Sequence, residues 1–309
     1  MAFGKHTYHS ANELRESLLD IIKDISPNED NYFTSNLGTG GAALQTHHEW
    51  NLFNEARATS VDAEIEGADT SYPDLTAETR SSNYTVILDA PVKISRTRAS
   101  IANVTGEDCV AVEKERALRR LKSEMEYATV NGTSAVGSSG VARGMAGLEW
   151  VVSTNVTARA SGQSFTETEF NDIEQDSYDT VGGNYLADLF VCPMVIKRRI
   201  ATFGTNVTRN VNAAEKRLTQ EVRVYDTDVG QTVKIIAHKD LRTTAGSLIV
   251  MALREDLFEH SFLVDSGEPH WEDRAKAGDY VAGVYITEFT LVSYNQRASV
   301  KRTGYSNSL

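Results

Sequence analysis

Cysteine is nearly missing from this chain: Cys109 and Cys192 are the only two in 309 residues, and neither belongs to a CxxC pair. That excludes a disulfide framework and a cysteine-ligated zinc site, and it fits reduced, buried thiols in a cytosolic compartment. On that reading the Asn-x-Ser/Thr triplets, Asn83-Tyr-Thr and Asn103-Val-Thr among them, carry no sugar. Long apolar runs are missing too. The longest clean one is Leu248 to Leu253, far short of the roughly 20 residues that a membrane-spanning helix needs. The opening stretch MAFGKHTYHSANELRESLLD contains no apolar core of signal-peptide length, so secretion and membrane insertion are not expected. Basic charge is in deficit: 31 Lys and Arg against 43 Asp and Glu leave a net charge of -12. A protein that grips nucleic acid by neutralising phosphates needs a concentrated Lys/Arg surface instead. An acidic wall facing nucleic acid without gripping it stays compatible. No internal repeat or low-complexity tract occurs.

Motifs that would carry chemistry fail one by one. Gly38-x-Gly40-x-x-Ala43 fits the loose dinucleotide fingerprint, but that fingerprint requires an apolar strand before it and a helix opening within the glycines. The preceding NYFTSNL is polar. His47, His48 and Glu49 resemble metal ligands, yet ligands on one helix face sit three or four residues apart, and no HExxH follows. Asp226-x-Asp228-x-Gly230 resembles the opening of a calcium loop without its distal glutamate, and reads as a turn. Neither GxSxG nor GxxxxGK[ST] occurs. Glu64, Glu66, Asp69 and Asp74 are carboxylates on a polar face or in a loop, too common in type to define a glycosidase pair. No catalytic, cofactor or metal site is expected.

What the chain does contain is architecture. Leu14, Leu18, Ile21, Ile22 and Ile25 predict an amphipathic helix over Asn12 to Ile25, ended by Ser26-Pro27. From there to about Trp50 the chain is rich in Gly, Asn and Thr with little periodicity, and reads as an extended strap lying on something else. Val61, Ala63 and Ile65 alternate with acids, and Tyr84, Val86, Leu88, Ala90, Val92 and Ile94 alternate with polar residues. This predicts an extended hairpin joined through GADTSYPDLTAETRSS. No adjacent sequence obviously covers its apolar face, and an isolated ribbon is marginal in water, so another subunit is expected there. Pro91 suits an edge strand.

A long helix follows over GEDCVAVEKERALRRLKSEMEYATVNG, with one stripe of Val110, Ala117, Leu118, Leu121, Met125 and Ala128 and a charged face read as solvated or paired with neighbours. Asn131-Gly132 stops it, at a length of roughly 35 Å. The remainder is mixed. A helix is predicted from Thr166 to Thr180, capped by Thr166, and a buried strand from Leu186 to Cys192. Pro193 opens another helix, a hairpin spans Glu221 to His238, a buried strand spans Leu248 to Ala252, and strands from Tyr280 close the chain.

The ordered set of Glu49-Trp50, SSNYTVILDAPVKISRT, the long helix ending at Asn131-Gly132, GMAGLEWVVSTN, VYDTDVGQTVKIIAHKDL and ITEFTLVSYNQRASVKRTG resembles tailed-phage major capsid proteins over nearly the whole chain. Their fold is shared with encapsulins and the herpesvirus capsid floor. The resemblance implies an α+β fold with an N-terminal arm (1–50), an extended E-loop (51–105), a peripheral P-domain with a spine helix (106–160), an axial A-domain (161–278) and C-terminal strands returning to the P-domain (279–309). It implies pentamers and hexamers that build an icosahedral shell around double-stranded DNA, with E-loops overlapping adjacent subunits and DNA contacted weakly and non-specifically. Trp50, Ile65, Val86, Leu88 and Ile94 are the expected inter-subunit contacts. Partners are the chain itself, portal and decoration proteins, and scaffolding that was either cleaved from the chain or is supplied by a separate protein, since no charged scaffolding segment precedes the arm. The expected location is the virion, assembled in the host bacterial cytoplasm. An encapsulin-like compartment shell is the alternative within the fold, and a cytosolic carboxylate enzyme is the remote alternative.

Overall fold

The computed structural model describes residues 31–53, 60–61, 63–67, 69, 77–101, 108–181, 186–203, 211–212, 217–218, 224–228, 230–241, 247–265, 267–275 and 277–306. The helix expected over Asn12 to Ile25 lies outside them.

Two sheets carry the fold. In the first, the long strand Tyr280–Ser293 pairs on one side with Val86–Ser95 and on the other with Phe258–Phe262 and His270–Asp273, while Gly38–Thr39 adds to Phe258–Phe262 in parallel. The second has six strands, in the order Val156–Gln163, Val300–Tyr305, Leu248–Leu253, Leu189–Cys192, Thr232–Ala237 and Val224–Asp226. Every residue of Leu248–Leu253 is buried because the strand is central and covered on both faces. Its alternation divides the protein: Ile249, Met251 and Leu253 enter one core, Leu248, Val250 and Ala252 the other.

The long helix is Cys109–Asn131. Asp108 caps it, its Oδ1 accepting from the Val110 N–H at 2.9 Å. Ala117 and Leu121 seal a core against Ala90, Val92 and Ile94, and further along Met125 and Val130 join the core bounded by Ile249 and Met251. The helix stops at Gly132, where a Cβ would lie 2.4 Å from the Ala128 carbonyl oxygen and 2.5 Å from that of Met145. Only glycine permits this approach. Asp108→Ala is expected to cost about 1 kcal/mol, the usual worth of a cap, read as a shifted urea midpoint with an unchanged slope.

The expected hairpin forms from different residues. His47–Leu52 pairs antiparallel with Thr79–Tyr84, with Trp50 opposite Ser81, whereas Val86–Ser95 pairs with the long strand. Val61, Ala63 and Ile65 are exposed and belong to no strand. The alternation of Val86 to Ile94 has a cause inside the chain: Ala90, Val92 and Ile94 face the long helix that follows them, and Ile87, Asp89, Pro91 and Lys93 face out. Thr85, whose N–H donates to the Thr46 carbonyl at 2.9 Å, lies between the two strands.

The stretch read as a strap is also corrected in part. Phe33 and Ala43 are fully buried within their own chain. Gly40 and Ala43 donate N–H to the carbonyls of His260 and Phe262, both at 2.8 Å, so residues 38–43 lie along Phe258–Phe262. At Gly40 a Cβ would come within 2.6 Å of the Glu259 carboxylate, a close approach that the glycine permits. The expected helices and hairpin of the second half form near their expected positions, while the strands Val156–Gln163, Phe258–Phe262 and His270–Asp273 were not expected. Glu167–Val181 starts with the Glu169 N–H on Thr166 Oγ1, Met194–Phe203 follows Pro193, and Val224–Asp226 turns into Thr232–Ala237.

Candidate functional site

The residues that looked chemical are placed as structure. Gly38 and Gly40 lie along a strand edge rather than at a helix N-terminus. His47 stacks on Tyr84 with ring centroids 4.5 Å apart, and His48 leans on Trp50 at 5.7 Å. They are adjacent on one strand, so their side chains leave opposite faces. Burial lowers the pKa of His48, which favours a neutral packed ring. Asp226 accepts a hydrogen bond from Thr232 Oγ1 at 2.8 Å within its turn. Among the described residues no group of three or more His, Cys, Asp or Glu side chains is arranged to hold a metal ion.

The concentrated polar chemistry is instead a buried junction that sequence reading missed. Glu126, placed with the solvated face of the long helix from its charge, is fully buried. Its carboxylate accepts from the N–H groups of Phe33 (2.9 Å) and Thr34 (2.7 Å), from Thr34 Oγ1 (2.8 Å), and from His238 Nε2 (2.8 Å). Burial by itself would raise its pKa. The hydrogen bonds from His238, Phe33 and Thr34 outweigh that and hold it below the ordinary range. One turn on, Thr129 Oγ1 donates to the Met125 carbonyl and stands 3.0 Å from His260 Nε2. The ring therefore donates its Nε2 proton to Thr129. Burial pushes the His260 pKa down to about 4, against the opposing pull of the Glu126 charge. The short helix Tyr32–Asn36, the long helix and the ends of two sheets thus meet at one carboxylate. Glu at this position was legible only as one charge among many; its i+3 neighbour Thr129 on the same helix side was the available signal.

A second junction fixes the ribbon His47–Leu52/Thr79–Tyr84. Buried Asn83 uses all its hydrogen-bonding capacity: Nδ2 donates to the carbonyls of Ala146 (3.0 Å) and Leu291 (2.8 Å), and Oδ1 accepts from the N–H groups of Tyr84 and Ala146, both at 2.9 Å. An amide so enclosed cannot accept a glycan. Trp50 Nε1 donates to the Ser293 carbonyl at 3.0 Å, pinning the ribbon to the end of the long strand. Trp50→Phe keeps an aromatic ring but orphans that carbonyl, and about 1 kcal/mol of stability is expected to go, measured by urea denaturation.

Of the five residues expected between subunits, Ile65 is 81% exposed while Ile94 is 6% exposed beneath its own helix. Val86 and Leu88 are half-buried against the same chain, and Trp50 is half-buried on Ser293. The structure does not bring these side chains into one face. Exposed apolar side chains among the described residues include Ile65 with Phe53 and Val61 beyond the ribbon, Tyr127 and Trp150 beside the helix end, and Leu44, Val136 and Met194 at other places. Tyr127 borders a groove of about 660 Å³ with Val86, Ala128, Met145 and Leu241. Such surfaces suit association rather than turnover.

Comparison with solved structures places the fold. The capsid of the native GTA particle matches with a TM-score of 0.63 at 11% identity, covering 97% of this chain and 98% of that one. The capsid of Myoviridae phage XM1 matches at 0.62 and 11% identity, covering 94% and 96%. The holo-SrpI encapsulin of Synechococcus elongatus PCC 7942 matches at 0.57 and 11% identity, covering 97% and 95%. No curated protein matches the sequence. The family model described as SU10 major capsid protein matches residues 3–306, so this chain belongs to that family and is the major capsid protein of a phage shell.

Proposed function

We propose that copies of this chain close into pentamers and hexamers, and that these form the icosahedral shell around a double-stranded DNA genome. The observation that carries this reading is the exposure of Phe53, Val61 and Ile65, 62%, 92% and 81%, between the two strands of the ribbon His47–Leu52/Thr79–Tyr84. A lone subunit gains nothing from exposing them, whereas assembly removes them from water and stabilises the folded state by mass action. Each joint between neighbours is heterologous, and rings close where the rotation suits five or six copies.

The ribbon supports reading the arm as 1–50, the E-loop as the region 51–105, the P-domain as 106–160, the A-domain as 161–278 and the C-terminal strands as 279–309. Trp50, Ile65, Val86, Leu88 and Ile94 remain the proposed contact region, with Ile65 the side chain free to touch a neighbour and the others shaping its support. Separate scaffolding, portal and decoration proteins complete the particle, which assembles in the host bacterial cytoplasm. The net charge of -12 favours an inner wall that repels packaged DNA and leaves it mobile. Negative-stain images of protein produced with its phage partners should show closed shells of uniform size enclosing nuclease-protected DNA. Shells that enclose only protein cargo would instead establish the compartment reading, and a protein that stays monomeric at every concentration and salt would end both.

A further inference from the structure

We propose that the strand Val156–Gln163 of one copy pairs antiparallel with the same strand of a second copy, across a two-fold axis centred on Ala158, so that the two six-stranded sheets run on as one. This rests on the shell reading above and adds an isologous contact to the heterologous ones that close rings.

The ladder of this sheet is unfinished at one end. Val156–Gln163 pairs in parallel with Val300–Tyr305 on one side and with no described strand on the other. The Lys301 N–H donates to the Asn155 carbonyl at 2.8 Å, which sets the parity of the strand. Backbone groups alternate from side to side, so the N–H and C=O of Val156, Ala158 and Ala160 point away from the sheet. The side chains of these three are exposed as well, while Thr157 and Arg159 are half-buried and Arg159 pairs with Glu169 at 3.2 Å. The other free edges among the described strands are short or charged, as exposed edges usually are. Val86–Ser95 has Pro91, the exposed Asp89 and Lys93, and Arg120 donating to the Pro91 carbonyl at 3.4 Å. His270–Asp273 carries Glu272 and Asp273, the ribbon carries Glu49 and Arg80, and Gly38–Thr39 and Val224–Asp226 span two and three residues. Val156–Gln163 has eight residues, no proline, and one charged side chain that its own fold neutralises. Backbone donors and acceptors in such a row are matched by another strand.

Self-complementarity argues for a second copy as the occupant. With Ala158 opposite its own symmetry mate, Val156 lies opposite Ala160 of the partner subunit, and every outward residue meets another outward residue with which it exchanges both backbone bonds. Thr157 then lies opposite Arg159 of the partner subunit, so no like charges meet across the axis. The side chains beside the axis are Ala and Val, small enough for the two backbones to reach pairing distance. A contact of this size falls short of the roughly 1,000 Å² that a lasting interface needs. It therefore forms where a shell already holds the two copies close, through effective concentration.

The test compares free subunits with shells produced alongside the phage assembly partners. Hydrogen exchange at the Ala158 and Ala160 amides should slow by at least about tenfold on assembly, whereas Thr157, whose N–H points into its own sheet, should be protected in both states. Mild oxidation of Ala158→Cys shells should give disulfide-linked dimers and no higher ladder, because a hydrogen-bonded antiparallel pair sets its Cα atoms about 5.5 Å apart, within disulfide range. Cys109 and Cys192 are buried and stay out of this reaction. Ala158→Pro removes an outward N–H at an edge position that tolerates proline, so the urea midpoint of the subunit should hold while the assembled fraction falls about fivefold. Amides that exchange as fast in shells as in subunits would overturn the pairing, and so would Ala158→Pro assembling like wild type. Protected amides without any Ala158→Cys dimer would overturn it too, since a different strand would then cover the edge. Shells that form without the dimer end this inference alone, whereas wild-type protein forming no oligomer at all would end the shell reading as well.

Discussion

Glu126→Ala is expected to cost about 3 to 5 kcal/mol, the range for removing one partner from a buried, hydrogen-bonded charged group. The loss is large because of what remains. The N–H groups of Phe33 and Thr34, and the Nε2 of His238, all point at the vacated space, and an orphaned buried donor keeps its full desolvation cost. Phe33, fully buried against Met125 and Leu253, would lose the anchor of its backbone, so the Tyr32–Asn36 segment should detach first. Hydrogen exchange at Phe33 and Thr34 is the sharpest readout: protection there should collapse to that of local fraying while Val250 and Met251 stay protected. Unaltered protection at Phe33 would show that apolar packing alone holds the segment. Glu126→Gln should lose less, because it retains one acceptor oxygen.

The same junction sets an acid limit. The folded pKa of His260 is depressed to about 4 from 6.5, so the unfolded chain binds the extra proton first. Its contribution is complete above pH 6.5 and is lost as pH falls towards 4. Glu126 is depressed below 4.5, so its contribution is complete above pH 4.5 and is lost as pH falls through the folded value. Both losses run in the same direction, and His260→Gln should flatten the upper one.

Much of the fold could be read from the sequence, for physical reasons that also explain the misreadings. The long helix was legible from Asn131-Gly132 and its apolar stripe, and Leu248–Leu253 from a run too short to be anything but a doubly covered strand. Alternation over Val86 to Ile94 was read correctly as a strand with one buried face. Its partner was not readable, because period two reports a covered face and is silent about what covers it. The true ribbon partners, HHEWNL and TRSSNY, carry little apolar alternation since they are held by Asn83, Trp50 and backbone pairing. Glu126 was invisible for a related reason: a charged residue in a charged helix has no local mark of burial, and its partners lie 92 to 112 residues away.

Glu174→Gln should stabilise the protein at alkaline pH, by an amount on the order of 3 to 5 kcal/mol above pH 8. Glu174 lies on Glu167–Val181 with 1% of its surface exposed, and its Oε2 has no hydrogen-bond partner. Burial, helped by the nearby Asp188 charge, raises its pKa to about 8. Asp188 itself accepts the Glu255 N–H at 2.9 Å, with Arg254 Nε 3.7 Å from its carboxylate. At neutral pH Glu174 is therefore a carboxylic acid that the unfolded chain would release as a carboxylate. The folded state binds the additional proton between pH 4.5 and 8, so this stabilisation is complete below 4.5 and is lost as pH rises through 8. Between 4.5 and 6.5 that slope opposes the slope from His260, and above 6.5 exposed His270, whose pKa is raised by its hydrogen bonds to the Glu268 carbonyl and Glu272 carboxylate, adds a slope of the same sign. Urea unfolding of the wild-type subunit at pH 6.5, 7.5 and 8.5 should give falling stability, and the glutamine variant a much flatter profile, because its amide has no proton to lose in this range. A wild-type profile that stays level, or a variant that keeps the wild-type slope, would mean that Glu174 finds a partner in solution and is already ionised.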